Sequence, residues 1–509
     1  MIHLSSPDII VIALYFGAVL FVGFRAARRT SSEEEDFLLA GRSLTLPVFI
    51  MTLVSTWYGG ILGVGEFSYR YGISNWVVQG VPYYLFAALF AVLLAKKIRA
   101  TNLYSIPDKL ELAYDKKTAI LGSFLTFILM TPAPYILMLS VFLQMLFGWS
   151  LPVCLIAVSI TAASYMYWGG FRSDVETDVL EFFLMFIGFA VILPFSFSKY
   201  GGLEFLRSNL PPLHLVWHGG NSVQFILVWF FIALWTLVDP AFHQRCYAAK
   251  SGAIAQRGIL YSIFFWLIFD FMTATAGLYA RAALPNLAEP MAAYPMLAEA
   301  VLPPIAKGLF YVGMLATIMS TLNTLAFVSA QTLGRDIYLR LKNRGVSGER
   351  GAVSGEHGAV SNRKSCATGA SAFGGEIRNP APEAHPPSAE KSEIASLSTQ
   401  IGMVVSFLLS IVLAVAIPSV IKLWYTIGTV VIPGLLVPLM ASYFERWRIP
   451  ARYAFLAMIL GWMTSLGWMV SGYIGGNGAH YPLGIEPMYP GIGMSLIWWA
   501  LGLSRRKRR

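Results

Sequence analysis

Thirteen mostly apolar runs divide the chain, at 7–24, 44–69, 75–95, 118–146, 150–170, 175–198, 222–242, 257–282, 305–333, 399–417, 420–443, 452–473 and 488–503. A helix needs about 20 such residues to cross a ~30 Å hydrocarbon core. The pattern therefore predicts an all-α polytopic membrane protein, since helices satisfy their own backbone polar groups in lipid. The last run is the shortest and follows a Gly/Pro-rich stretch at 474–491. The first begins at Pro7 with no Lys or Arg before it and no small-residue cleavage site after it, which predicts a retained helix rather than a signal peptide. Residues 341–398, rich in Gly, Ser, Ala, Glu and Pro, lack apolar periodicity and are expected to form a disordered loop.

Composition agrees with this pattern. Hydrophobic residues make up 56% of the 509-residue chain and charged residues 13%, against about 25% charged in soluble domains. A soluble enzyme is excluded. The net charge of +10 gains its meaning from topology. With the N-terminus outside and the C-terminus cytoplasmic, 31 of the 37 Lys and Arg residues fall on the inner side, as the positive-inside rule requires. The excess then reports insertion into a cell membrane, with a bacterial inner membrane expected, and a nucleic-acid partner is not indicated. Cys154, Cys246 and Cys366 are too far apart to suggest a zinc site or a disulfide framework.

Polar or helix-breaking residues inside a span point to function. In the second run, Ser55-Thr56-Trp57-Tyr58 precedes Gly59, Gly60, Gly63 and Gly65. Each glycine weakens a helix by about 1 kcal/mol relative to alanine, and unwinding there would expose carbonyls suited to a hard cation such as sodium. Close helix packing is the other use of such glycines. Glu66 and Arg70 are four apart, on one face, and are expected to pair as a gate or an anchor. The ninth run carries Thr317, Ser320, Thr321, Asn323 and Thr324; spacing at i, i+3 and i+4 directs three hydroxyls to one face. In the sixth run, Arg172, Asp174 and Glu176 can remain in water, whereas Asp178 lies deeper, on a face with Glu181. The seventh run ends at Asp239-Pro240, where a kink or a helix end is expected, with His243 and Arg245 placed at the inner surface. Asp270 is an intramembrane acid with no evident partner. Hydrolase, phosphate-loop and zinc-protease motifs are missing from the sequence, so no enzyme is expected.

Four stretches give the sequence a resemblance to the sodium:solute symporter family. They are Phe37-Leu38-Leu39-Ala40-Gly41-Arg42-Ser43-Leu44, Gly169-Gly170-Phe171 with Thr177-Asp178, Gln244-Arg245-Cys246-Tyr247-Ala248-Ala249-Lys250-Ser251, and Met319-Ser320-Thr321 followed by Asp336-Ile337-Tyr338. The resemblance implies a LeuT-type fold of two inverted five-helix repeats, at 44–198 and 222–443. An N-terminal helix and loop (1–43) and C-terminal helices with a basic tail (444–509) would flank them. It further implies a sodium site built from the Ser55, Tyr58 and Thr317 carbonyls and the Ser320 and Thr321 hydroxyls. Asp178 would act in ion release or at a second site. Its implied solute cavity is lined by Trp57, Gly59, Gly60, Gln79, Tyr83, Trp235, Trp424 and Tyr425.

The expected function is sodium-coupled import of a small polar organic solute by alternating access, with Na+ as the coupling ion and the lipid bilayer as its setting. A monomer or weak oligomer is expected. A proton-coupled symporter with Asp178, Glu66 or Asp270 as carrier is one alternative, and a membrane sensor module is another.

Overall fold

The computed structural model describes residues 2–342, 389–417, 419–474 and 481–506. Among the described residues, ten helices are by themselves long and apolar enough to cross a membrane and a bent pair makes an eleventh span, against thirteen expected runs. In chain order the main helices are α1 (Ser6–Ala27), α2 (Leu46–Trp57), α3 (Ile61–Tyr71), α4 (Trp76–Ala100), α5 (Lys116–Phe147), α6 (Leu151–Tyr200) and α7 (Val223–Ile232). They continue with α8 (Pro240–Ala248), α9 (Gly252–Ala283), α10 (Ala306–Gln331), α11 (Ala389–Ala416), α12 (Val420–Ser442), α13 (Ala451–Ile474) and α14 (Met488–Arg506).

The predicted fifth and sixth spans form one helical run, α6, in which Gly170 alone departs from helix at φ 53° and ψ −145°. A Cβ there would strike the Phe37 carbonyl oxygen, so only glycine suits both the left-handed backbone and the close approach. The run folds back at this point. Tyr165 and Asp174 reach neighbouring residues Asn323 and Thr324 of α10, although a straight helix would hold them about 13 Å apart.

Every residue of α10 from Phe310 to Gln331 is buried. A helix enclosed on all sides must pair its polar groups within the protein, and this one carries the hydroxyl cluster. Gly313 lies against Gly188 of α6, where a Cβ on either would come within 2.8 Å of the other's Cα. This allows the two helices to pack backbone to backbone.

The stretches 37–44 and 244–251 dock on each other. Leu44 donates to the Ala248 carbonyl and accepts from the Lys250 amide, each at 3.1 Å, and Arg42 bonds to the Tyr247 carbonyl at 3.1 Å. Gln244 reaches the Leu38 carbonyl at 3.3 Å. Nearby, Arg335 joins Asp108 at 2.9 Å and also Glu34, while Arg340 pairs with Glu111 and Asp336 at 2.8 Å each. Loops assigned to a common side by charge thus meet at one end of the bundle.

One expectation is met in one of its two forms, and two need correction. Of the kink or helix end expected in the seventh span, the structure has the helix end: α7 stops at Ile232, one turn follows at Trp235–Val238, and α8 starts at Pro240. Asp239 is extended there, and its carboxylate caps the new helix. The disordered loop expected up to residue 398 is helical from Ala389 onward; its residues 343–388 lie outside the described residues. At its other end the ninth span continues helically to Lys342.

Candidate functional site

The bend between α2 and α3, 59° across residues 58–60, meets α10 at its hydroxyl cluster. The Thr321 hydroxyl donates to the Thr56 carbonyl at 2.5 Å and lies 3.4 Å from the Thr317 carbonyl. A Cβ on Gly59 would fall on the Thr321 side chain and on Tyr135. Close packing and a broken helix therefore share the same glycine. Ser320 donates to Asp178 Oδ1 at 2.5 Å. The Ser55 hydroxyl bonds back to the Met51 carbonyl at 2.9 Å, and the Tyr58 phenol reaches the Trp266 carbonyl at 3.3 Å. The structure thus gathers Thr317, Ser320, Thr321 and Asp178 beside the end of α2 that carries Ser55 and Tyr58.

Beneath this junction lies Arg245, fully buried at 0% exposure rather than at a membrane surface. Its Nη2 lies 3.0 Å from Asp178 Oδ2 and 3.6 Å from Asp174 Oδ2. It also donates to Thr56, Thr52 and Thr324 at 2.6, 2.9 and 2.9 Å. Asp174, expected in water, is also at 0% exposure and accepts from Thr324 at 2.7 Å. The turn at Gly170 and the restart of helix at Asp239 carry both groups inward. Glu181, one further turn along, is held by Tyr15 of α1 at 3.0 Å. A sequence signal for the buried cation existed: Asp174, Asp178 and Glu181 repeat at i, i+4 and i+7, and one face with three buried acids requires a counter-charge.

Above the junction is a cavity of about 160 Å³. Trp57, Gly60, Gln79, Tyr83, Trp235 and Trp424, named from the sequence for a solute cavity, line it. Tyr84, Tyr135, Asp239, Trp266 and Asp270 also line it and were missed. Asp270 finds its partner in the Tyr84 hydroxyl. Two expected lining residues stand apart from the cavity wall. Gly59 is spent on the contact with Thr321, and Tyr425 bonds to Glu486 instead. Glu66 and Arg70 pair at 2.9 Å, with the Arg70 side chain half exposed.

The sequence profile of the sodium:solute symporter family matches residues 37–356. The chain belongs to this family. Among curated relatives of this symporter-family chain, the sodium/pantothenate symporter of Haemophilus influenzae is 27% identical over 361 residues, which cover 68% of this chain and 74% of the relative. The sodium/glucose cotransporter of Vibrio parahaemolyticus is 25% identical, covering 66% and 69%. An outward-open, substrate-bound structure of a Na+-coupled sialic acid symporter superposes with a TM-score of 0.74 at 15% identity, covering 98% of both chains. A closed nucleobase-cation-symport-1 family transporter superposes at 0.56 and 9% identity, covering 92% and 94%. Both neighbours are LeuT-fold transporters, so the all-α LeuT-type fold expected from the sequence is the fold of this chain. The family and these relatives mark the chain as a multi-pass transport protein rather than an enzyme.

Proposed function

We propose that this family member is a sodium-coupled symporter that imports a small polar organic solute by alternating access. In this reading it lies in a bacterial inner membrane with its N-terminus outside. The observation that carries the proposal is the Thr321–Thr56 hydrogen bond across the broken second span. It draws neutral oxygens from two different helices to one point at the foot of the cavity, the donor set a hard monovalent cation takes in place of its hydration shell. Sodium there would be held by the Ser55, Tyr58 and Thr317 carbonyls and the Ser320 and Thr321 hydroxyls. Because it bridges α2 and α10, its arrival would stabilise one relative placement of these helices and release would free another. Asp178, engaged by Arg245 at 3.0 Å, would act on the ion as a neighbouring charge. The Glu66–Arg70 pair would serve the far end of α3 as a gate or an anchor. An inward membrane potential adds about 2.3 kcal/mol per charge per 100 mV to the cycle.

The test is thermal unfolding of the purified chain in NaCl against KCl. Sodium should raise the melting temperature of the wild type. Ser320→Ala with Thr321→Ala should need roughly tenfold more sodium for the same shift, a loss of about 1.4 kcal/mol. Equal sodium dependence in wild type and variant would remove the ion-site assignment.

A proton-coupled cycle is the second reading. It is favoured by Asp174 Oδ1 and Glu181 Oε2, two buried carboxylate oxygens without a hydrogen-bond partner among the described residues. A wild type indifferent to sodium, with solute uptake driven by a pH gradient, would select it.

A further inference from the structure

The charge of the cavity wall remains unexplained by sodium coupling. Asp239 and Asp270 both line the cavity, and among its described lining residues there is no Lys, Arg or His. Arg245, the nearest buried cation on α8, is committed to Asp174 and Asp178. Asp239 Oδ1 accepts the Ala241 and Phe242 amides at 2.7 and 3.4 Å. Its other oxygen takes no hydrogen bond among the described residues. Helix capping does not require the charge, since Asn or Ser caps as well. The hydrogen bond to the Asp270 carboxylate comes from the neutral Tyr84 hydroxyl, which an amide oxygen would also accept. Both side chains are thus acids where no local structural role demands one, in spans where charge is costly. Much of the remaining wall is aromatic and includes Trp57, Trp235, Trp266 and Trp424. Indole faces attract cations, and most strongly in a desolvated site.

We propose that the solute carries a positive charge: a small organic ammonium, held between Asp239 and Asp270 with its alkyl groups against the indole rings. This rests on the reading that the cavity holds the transported solute. A carboxylate solute would meet two like charges here and no basic partner.

The experiment follows tryptophan fluorescence of the full chain in lipid nanodiscs, titrated in NaCl and in KCl. The probes are choline, its uncharged carbon analogue 3,3-dimethylbutan-1-ol, and pantothenate. Choline should quench saturably, with a dissociation constant at least tenfold below that of the neutral analogue, and pantothenate should give no signal. Asp239→Asn and Asp270→Asn should each weaken choline binding at least tenfold and shrink its advantage over the neutral analogue, whereas Asp239→Glu should retain it. Thermal unfolding of each variant establishes that it is folded. No saturable choline binding overturns the proposal, as does equal or tighter binding of the neutral or carboxylate probe. Choline binding unchanged in both Asn variants also overturns it. If the neutral or carboxylate probe binds only in sodium, the symporter reading stands while the charge assignment falls. Choline binding that is equal in potassium leaves the charge assignment standing and removes sodium coupling.

Discussion

Arg245 and Asp178, 67 residues apart in sequence, form an ion pair at 3.0 Å with neither side chain exposed. One comes from the helix that restarts at Pro240 and the other from the run that turns back at Gly170, so the pair ties α8 to α6 beside the broken second span. Burying such a pair adds little net stability, but removing one partner leaves an uncompensated charge.

Arg245→Met should therefore destabilise the fold by about 3–5 kcal/mol, read as a lower melting temperature in detergent. Adding Asp178→Asn to the same chain should recover part of that loss, because the stranded carboxylate is neutralised. Equal melting temperatures for single and double variants would show that the pair is not coupled.

Two glycines should behave differently although both sit at close approaches. A methyl at Gly60 would fall on the Trp424 indole, which lines the cavity. Gly60→Ala should weaken solute binding by roughly tenfold, about 1.4 kcal/mol. A methyl at Gly313 would meet the Gly188 backbone, far less able to move. Gly313→Ala should cost about 1–3 kcal/mol of stability and leave solute affinity unchanged in the molecules that remain folded. Fluorescence titration beside thermal unfolding separates the two effects.

Lys109 gives a pH signature away from the membrane-spanning segments. Burial, with help from the Arg448 and Lys97 charges, lowers its ammonium to about 8 from 10.5, and its Nζ lies 4.8 Å from the centre of the Tyr443 ring. Between those values the unfolded chain holds a proton that the folded chain has lost, so stability from this group rises with pH from about 8 to 10.5. Lys109→Gln should remove that rise. Melting curves of both proteins from pH 7 to 10.5 check it, and parallel curves would refute it.

Membrane insertion, the spans and the hydroxyl cluster on α10 were legible in the sequence because they depend on local properties. Hydropathy over about 20 residues decides a span, and helical spacing alone puts Thr317, Ser320 and Thr321 on one face. The glycines of the second run likewise announced a break, though their neighbours Thr321 and Trp424 lie far along the chain. The fate of charges near helix ends was not legible. Asp174 and Arg245 have sequence surroundings that suit an aqueous surface, and only the reversal at Gly170 and the extended residue Asp239 carry them into the interior. The same holds for the cavity wall. Asp239, Asp270, Trp266 and Tyr135 come from three parts of the chain, and nothing local to any of them says that they face one space. The sequence by itself thus determined that the chain crosses the membrane many times and where its helices weaken, since both follow from the free energy of neighbouring residues. Which charges meet, and which acids line the cavity, was decided by tertiary structure, because pairing energies depend on distances that only the packed helices set.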